Sequence, residues 1–235
     1  MGGIFNMDGP FFKFGNAVAD IMILSLIWMI FSIPFFTIGA STTALFYVTT
    51  RRTSDKEGYL FRDFLTSFKD NFKLSTKLWL LWVAMFALVI SNIFMIRSFE
   101  FDPLMANILL PIQMIILIEL FITSLYIFPI TARFEMGFRQ IIKSAFFMAN
   151  RHMLTTVSCV ATIIIIVVAA AWFFEPILIV ASGLYAYVTS FMFMQIFRKY
   201  RPELDKEQLD MEPLPVLYFG DEPSDNQSTE ESDLP

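Results

Sequence analysis

No charged side chain interrupts residues 21–48; the only one within 104–128 is Glu119, and the only one within 155–197 is Glu175. A helix packed in water cannot stay apolar for that long without leaving grease exposed. A bilayer crossing needs about 20 apolar residues, so these stretches are long enough to span. Of the 235 residues, 56% are hydrophobic, 28 are Phe and only 17% are charged. Soluble domains run about 45–50% apolar even with glycine counted. The expected fold is therefore an all-α, polytopic membrane helix bundle.

The formal charge of −5 is the sum of two unlike parts. From Glu203 onward there are eleven acids and one base, Lys206, so this tail carries −10, whereas residues 1–202 hold sixteen bases and eleven acids and carry +5. A basic body is drawn to an anionic leaflet, and an acidic tail is repelled from it. Residues 1–200 are expected to form the transmembrane helical domain. Residues 201–235, rich in Pro, Asp, Glu and Ser, are expected to be a disordered cytoplasmic tail. Its apolar island, Leu214-Pro215-Val216-Leu217-Tyr218-Phe219, is either a docking segment or a short greasy patch.

Residues 17–50 are too long for one crossing: at 1.5 Å per residue they measure about 50 Å, against a hydrocarbon core of about 30 Å. Pro34 disfavours helix at Ile33, and Gly39 permits a turn. The expected helices are 12–33 and 39–51, then 75–96, 105–131, 154–173 and 177–197. Helix 39–51, short and carrying Ser41, Thr42 and Thr43, is expected to pack inside the bundle. Pro111 is expected to kink helix 105–131, and Glu175-Pro176 to turn between the last two.

Basic residues cluster on alternate connections. Arg51, Arg52, Lys56, Arg62, Lys69, Lys73 and Lys77 lie in the second, Arg133, Arg139, Lys143 and Arg151 in the fourth, and Arg198, Lys199 and Arg201 after the last helix. The positive-inside rule places these in the cytoplasm, together with both termini, which gives six spans. The alternative is five spans with an overlong, tilted first helix and the N-terminus outside. Three helix ends run from aromatic and apolar residues into arginine: Phe46-Tyr47-Val48-Thr49-Thr50-Arg51, Phe128-Pro129-Ile130-Thr131-Ala132-Arg133 and Phe193-Met194-Gln195-Ile196-Phe197-Arg198. Such endings suit a membrane–water boundary.

Two basic cytoplasmic stretches are amphipathic. One sets Phe61, Phe64, Leu65, Phe68 and Phe72 at helical spacing, with Arg62, Lys69 and Lys73 elsewhere. The other sets Phe134, Phe138, Ile141, Ile142, Ala145 and Ala149 on one face, with Arg139 and Lys143 off it. They either cap the bundle, or lie at the headgroups, or form a docking surface. Arg62, Lys69, Lys73, Arg139 and Lys143 are thus the candidate partner or lipid contacts.

Glu119 is the candidate intramembrane acid. A charge at the bilayer centre costs a few kcal/mol, so such a residue is a functional hypothesis by default. Thr123 and Tyr126 extend the same polar stripe at i+4 and i+7. The stripe either serves proton or cation coupling or is hydrogen-bonded within the bundle, with Asn92 or Gln113 as the expected partner of Glu119. Asp20 is expected at the interface, and His152, the only histidine, at the surface. Ser182, Ala186 and Ser190 repeat at intervals of four, a spacing that lets helices approach closely. Cys159 is the only cysteine, so no intrachain disulfide or thiolate metal site can form. Residues 37–41 make a poor signal-cleavage site, and Asn6 stands where a myristoylation signal needs Ser or Thr. No nucleotide-binding, zinc-hydrolase or serine-hydrolase motif occurs. No enzyme activity, cofactor, metal or nucleic-acid partner is expected.

The chain resembles the YesL-like family of bacterial integral membrane proteins, a domain family of unknown function. The resemblance rests on Gly3-Ile4-Phe5-Asn6, Ile33-Pro34-Phe35-Phe36-Thr37-Ile38-Gly39-Ala40 leading to Thr42-Thr43-Ala44-Leu45, Glu57-Gly58-Tyr59, Phe68-Lys69-Asp70-Asn71-Phe72 and Phe128-Pro129-Ile130-Thr131-Ala132-Arg133-Phe134. It covers roughly residues 3–200. It implies a multi-pass protein of the bacterial cell membrane, encoded beside carbohydrate-uptake machinery, and it carries over no catalytic residues. Three functions follow as expectations: an accessory membrane protein associated with carbohydrate uptake or sensing, with a membrane transporter or another membrane protein as partner; a small secondary transporter using Glu119; or a membrane-organising protein without a ligand.

Overall fold

The computed structural model describes residues 10–53, 59–98, 103–173 and 176–200. The segments 3–6 and 57–58, the turn at Glu175 and the acidic tail with its apolar island lie outside the described residues. Seven α-helices occur among the described residues: α1 Pro10–Phe31, α2 Ile38–Arg52, α3 Leu60–Ser98, α4 Pro103–Arg133, α5 Phe138–Arg151, α6 Met153–Phe173 and α7 Pro176–Tyr200.

Local chemistry sets the first break. Pro34 is extended, and the single 3-10 turn Phe35–Thr37 follows it. Thr37 Oγ1 donates to the carbonyls of Phe31 at 2.7 Å and Pro34 at 2.6 Å, which occupies carbonyls that the end of α1 leaves open. Helix α2 then starts directly, with Gly39 inside it. The glycine does not make the turn. A Cβ at position 39 would lie 2.6 Å from Trp79 Cβ and 2.7 Å from the Ser75 carbonyl oxygen. It permits a close approach of α2 to α3, not a special backbone angle.

Helix α2 is the centre of the bundle and packs against α3, α4 and α7. Its hydroxyls first satisfy their own helix: Ser41, Thr42, Thr43 and Thr49 each donate to the carbonyl four residues back. Helix α1 packs on α7, where Gly183 lies against Ser25 and Ile21. The Gly183 N–H donates to Ser25 Oγ at 3.0 Å, and Ser25 Oγ donates to the carbonyl of Ile21 at 2.8 Å. Helix α5 folds back on α4, and α6 packs on α7.

The first amphipathic stretch is not a separate element. It is the first half of α3, which runs unbroken for 39 residues, about 58 Å at the α-helical rise. Its apolar face packs on the bundle in part: Phe64 is fully covered and Leu65, Phe68 and Phe72 are half-buried, with Phe31 ringed by Phe64 and Phe68 at 5.5 and 5.1 Å. The second stretch is α5, whose Ile141, Ala145 and Ala149 are buried. Part of each helix stays apolar and open: Phe61 is 55% exposed on α3, and Phe146 and Phe147 are 48% and 71% exposed on α5. Helix α4 continues through Pro111 and Pro129.

The outside of the molecule is apolar where a soluble protein would be polar. Leu88 is 68% exposed, Phe94 72%, Ile115 66% and Trp172 84%. Three helices, Leu60–Ser98, Leu104–Arg133 and Met153–Trp172, are long and apolar enough to cross a membrane. Two shorter apolar helices, Gly15–Phe31 and Val180–Ile196, accompany them.

Candidate functional site

The polar stripe of α4 divides between two places. Glu119 is half-buried, and its Oε1 accepts a hydrogen bond from Asn150 Nδ2 at 2.7 Å and another from Thr123 Oγ1 at 3.3 Å. Asn150 stands in the last turn of α5 and also donates to the Phe146 carbonyl at 3.1 Å. The expected partners of Glu119, Asn92 and Gln113, are not those observed. The acid holds the end of α5 against the middle of α4, because α5 reverses direction after Arg133 and runs back along it.

Tyr126 turns elsewhere. It is fully buried, its Oη shares a hydrogen bond of 2.8 Å with Thr156 Oγ1, and its ring meets Phe193 edge-on at 5.1 Å. Thr156 Oγ1 also lies 2.8 Å from the Ala149 carbonyl, across the break that His152 makes between α5 and α6. The tyrosine locks that junction from within and does not join Glu119 in one site.

A second polar seam follows α2. Thr43 and Ser75 share a buried hydrogen bond of 2.9 Å, and Thr49 and Ser190 share one of 3.0 Å. The seam accounts for the threonines of α2 and for Ser190, which the sequence assigns to packing. Ser75, Asn150, Ser25 and Gly183 were not singled out by sequence reasoning. Among them only Gly183 carries a visible signal, since it adjoins the small-residue repeat at Ser182, Ala186 and Ser190.

The arginine-bearing helix ends come together. Arg51 pairs with Asp63 at 3.5 Å, and Arg52 Nε donates to Asp20 Oδ2 at 2.6 Å. Arg133 Nη1 lies 3.4 Å from Met194 Sδ near the end of α7. Arg62, Lys69, Lys73, Arg139 and Lys143 behave differently. All five are exposed, and the bundle makes no ion pair with them among the described residues. Cys159 is a buried free thiol, and no group of three or more metal-ligating side chains occurs among the described residues.

These features define an all-helical protein with apolar helices of membrane-crossing length and exposed basic side chains on α3 and α5. Residues 21–93 match the family described as "Protein of unknown function, DUF624". The match takes in the second half of α1, all of α2 and most of α3, including the Gly39–Trp79 approach. Comparison with curated proteins and with solved structures gives no match.

Proposed function

We propose that the chain is an accessory integral membrane protein of the YesL-like type, which presents a cationic cytoplasmic surface to an acidic partner. The observation that carries this reading is the charge of Arg62, Lys69, Lys73, Arg139 and Lys143, exposed on α3 and α5 and engaged in no ion pair among the described residues. An amphipathic helix that binds lipid spends its apolar face on lipid. Here Phe64, Ile141, Ala145 and Ala149 are spent on the bundle, which favours a protein partner met through charge. Exposed charges of this kind govern encounter rate and choice of partner more than affinity. The resemblance points to carbohydrate-uptake or sensing machinery of the bacterial cell membrane as the source of the partner.

A transporter built around Glu119 has less support. The carboxylate is engaged by Asn150 and Thr123, a packing arrangement that explains its presence without a transported ion. No reaction is proposed.

The test is co-purification after gentle detergent extraction. Arg62→Glu, Lys69→Glu and Lys73→Glu together are expected to abolish recovery of the partner, while Glu119→Gln leaves it intact. Loss with Glu119→Gln alone, together with loss of substrate movement, supports the transporter. If neither change matters, a membrane-organising role without a ligand remains.

A further inference from the structure

The last turns of α7 are tied to the ends of three other helices. Met194 lies 3.4 Å from Arg133 Nη1 at the end of α4, and Ser190 meets Thr49 and Thr50 near the end of α2. Arg51, next along α2, pairs with Asp63 in the first turn of α3. Helix α7 ends at Tyr200, about 9 Å beyond Met194 at the helical rise. The chain therefore leaves α7 at the end of the bundle where α3 begins. The sequence that follows is acidic, with Glu203, Asp205, Glu207, Asp210 and Glu212 close together.

From that end a line of positive charge runs along α3. Arg62, Thr66, Lys69 and Lys73 are all exposed, and their spacing keeps them within about 60° of one another around the helix. Arg62 and Lys73 stand about 16 Å apart along the axis. Asp63 is taken by Arg51, and Asp70, exposed beside the line, forms no ion pair with it. Helix α5 offers a shorter line, only Arg139 and Lys143, with Phe146 next on the same face.

The acidic segment and the α3 stripe match in sign, length and place. Extended chain reaches about 3.3–3.6 Å per residue, so Glu203–Glu212 is long enough to follow the stripe from Arg62 to Lys73 with chain to spare. An anionic leaflet repels the same acids. Tethering holds a segment at an effective concentration on the order of millimolar wherever its linker can span, a lead that no separate acidic molecule shares. Exposed ion pairs are individually weak, so a contact of this kind is a sum over several pairs and exchanges readily.

We propose that the segment Glu203–Glu212 occupies the stripe of Arg62, Lys69 and Lys73 in cis and shields it, so that an acidic partner binds by displacing the chain's own tail. The displacement rests on the proposed function, and the contact between tail and stripe stands apart from it. The stripe is then a gated surface: its charge becomes available to a partner only when that partner competes successfully with the tail.

Cysteine pairs in a Cys159→Ala background test the contact in the full chain, held in vesicles containing anionic phospholipid. Thr66 is exposed within the stripe, Glu135 is exposed off it just after Arg133, and Gln208 stands between Glu207 and Asp210. A short bis-maleimide is expected to link Gln208→Cys to Thr66→Cys severalfold faster than to Glu135→Cys. Arg62→Glu, Lys69→Glu and Lys73→Glu together are expected to remove that preference, as is salt at about 1 M, where the Debye length falls to about 3 Å. Neutralising the tail with Glu203→Gln, Asp205→Asn, Glu207→Gln, Asp210→Asn and Glu212→Gln changes no residue of the seven helices and is expected to remove it too. Equal linking at the two positions, or a preference that survives these changes, overturns the proposal. A preference seen in detergent but lost in the anionic vesicles gives the stripe to lipid headgroups and overturns it equally.

A fluorescent decaglutamate peptide reads the shielding. It is expected to bind the neutral-tail variant severalfold more tightly than the native chain, and to lose binding when the stripe is reversed. Equal binding to the native and neutral tails overturns the shielding and leaves the proposed function standing. Charge-dependent linking without peptide binding to either form does the reverse: the tail contact stands, and the acidic-partner reading falls.

Discussion

Thr49 of α2 and Ser190 of α7, 141 positions apart in the chain, share a buried hydrogen bond of 3.0 Å. Thr49 also donates to its own helix at Leu45, 2.9 Å away, and Thr50 reaches the same serine at 3.4 Å. The polar link between α2 and α7 is thus a small hydroxyl cluster between helices whose backbone bonds are already made. Such bonds between membrane helices average about 0.6 kcal/mol and reach about 1.7. A double-mutant cycle with Thr49→Val and Ser190→Ala, followed by unfolding in detergent, is expected to show a coupling of that size. A coupling near zero would mean that packing alone joins the two helices.

The Gly39 approach predicts a larger effect. Ala at 39 would press its Cβ against Trp79 Cβ and the Ser75 carbonyl oxygen, both tied to the α3 backbone. Overpacking of this kind costs about 1–3 kcal/mol. Gly15 is the control, since a Cβ there meets nothing within 4 Å. Gly15→Ala should stabilise α1 by up to about 1 kcal/mol through helix propensity. Melting temperatures in one detergent should move in opposite directions for the two variants.

The helix ends were largely legible, because breaks in this chain are made by local chemistry: five of the six expected helices lie within the observed ones, and the first, 12–33, overruns α1 by Ser32 and Ile33 just before Pro34. The fusion of the stretch around Phe64 with the apolar helix after it was missed. Charge at Lys69, Lys73 and Lys77 reads as a connection between helices, yet residues 60–98 contain no glycine or proline to break a helix. Composition changes along α3 because its surroundings change, not because the helix ends. The Glu119–Asn150 bond was not legible at all. It depends on the reversal of α5 along α4, which no spacing within either helix reports.

That bond separates a packing role for Glu119 from a charge-dependent one. Glu119→Gln keeps an amide oxygen where Oε1 accepts from Asn150 and is expected to change stability by less than about 1 kcal/mol, the size of one net hydrogen bond. Glu119→Leu removes the acceptor and strands the Asn150 amide, a loss of about 1–3 kcal/mol if the amide finds no water. Hydrogen exchange at the end of α5 reads the same contact directly. Faster exchange there in Glu119→Leu, and not in Glu119→Gln, fits a clamp.

The two ion pairs at the arginine ends should respond differently to the same lesion. Arg52 Nε reaches Asp20 at 2.6 Å, and the aspartate side chain is only 14% exposed, whereas Arg51 and Asp63 stand 3.5 Å apart. The longer pair belongs with those worth about 0–1 kcal/mol, and Asp63→Asn should be close to neutral. The shorter pair ties α1 to α2 through a partly covered carboxylate, where a charge-assisted bond contributes about 1.5–3 kcal/mol. Asp20→Asn should therefore destabilise the protein, and raised salt should narrow the gap between wild type and variant, because screening weakens what exposure leaves accessible. Equal melting temperatures for Asp20→Asn and Asp63→Asn at low salt would remove any special role for the Asp20–Arg52 contact in holding the N-terminal hairpin together.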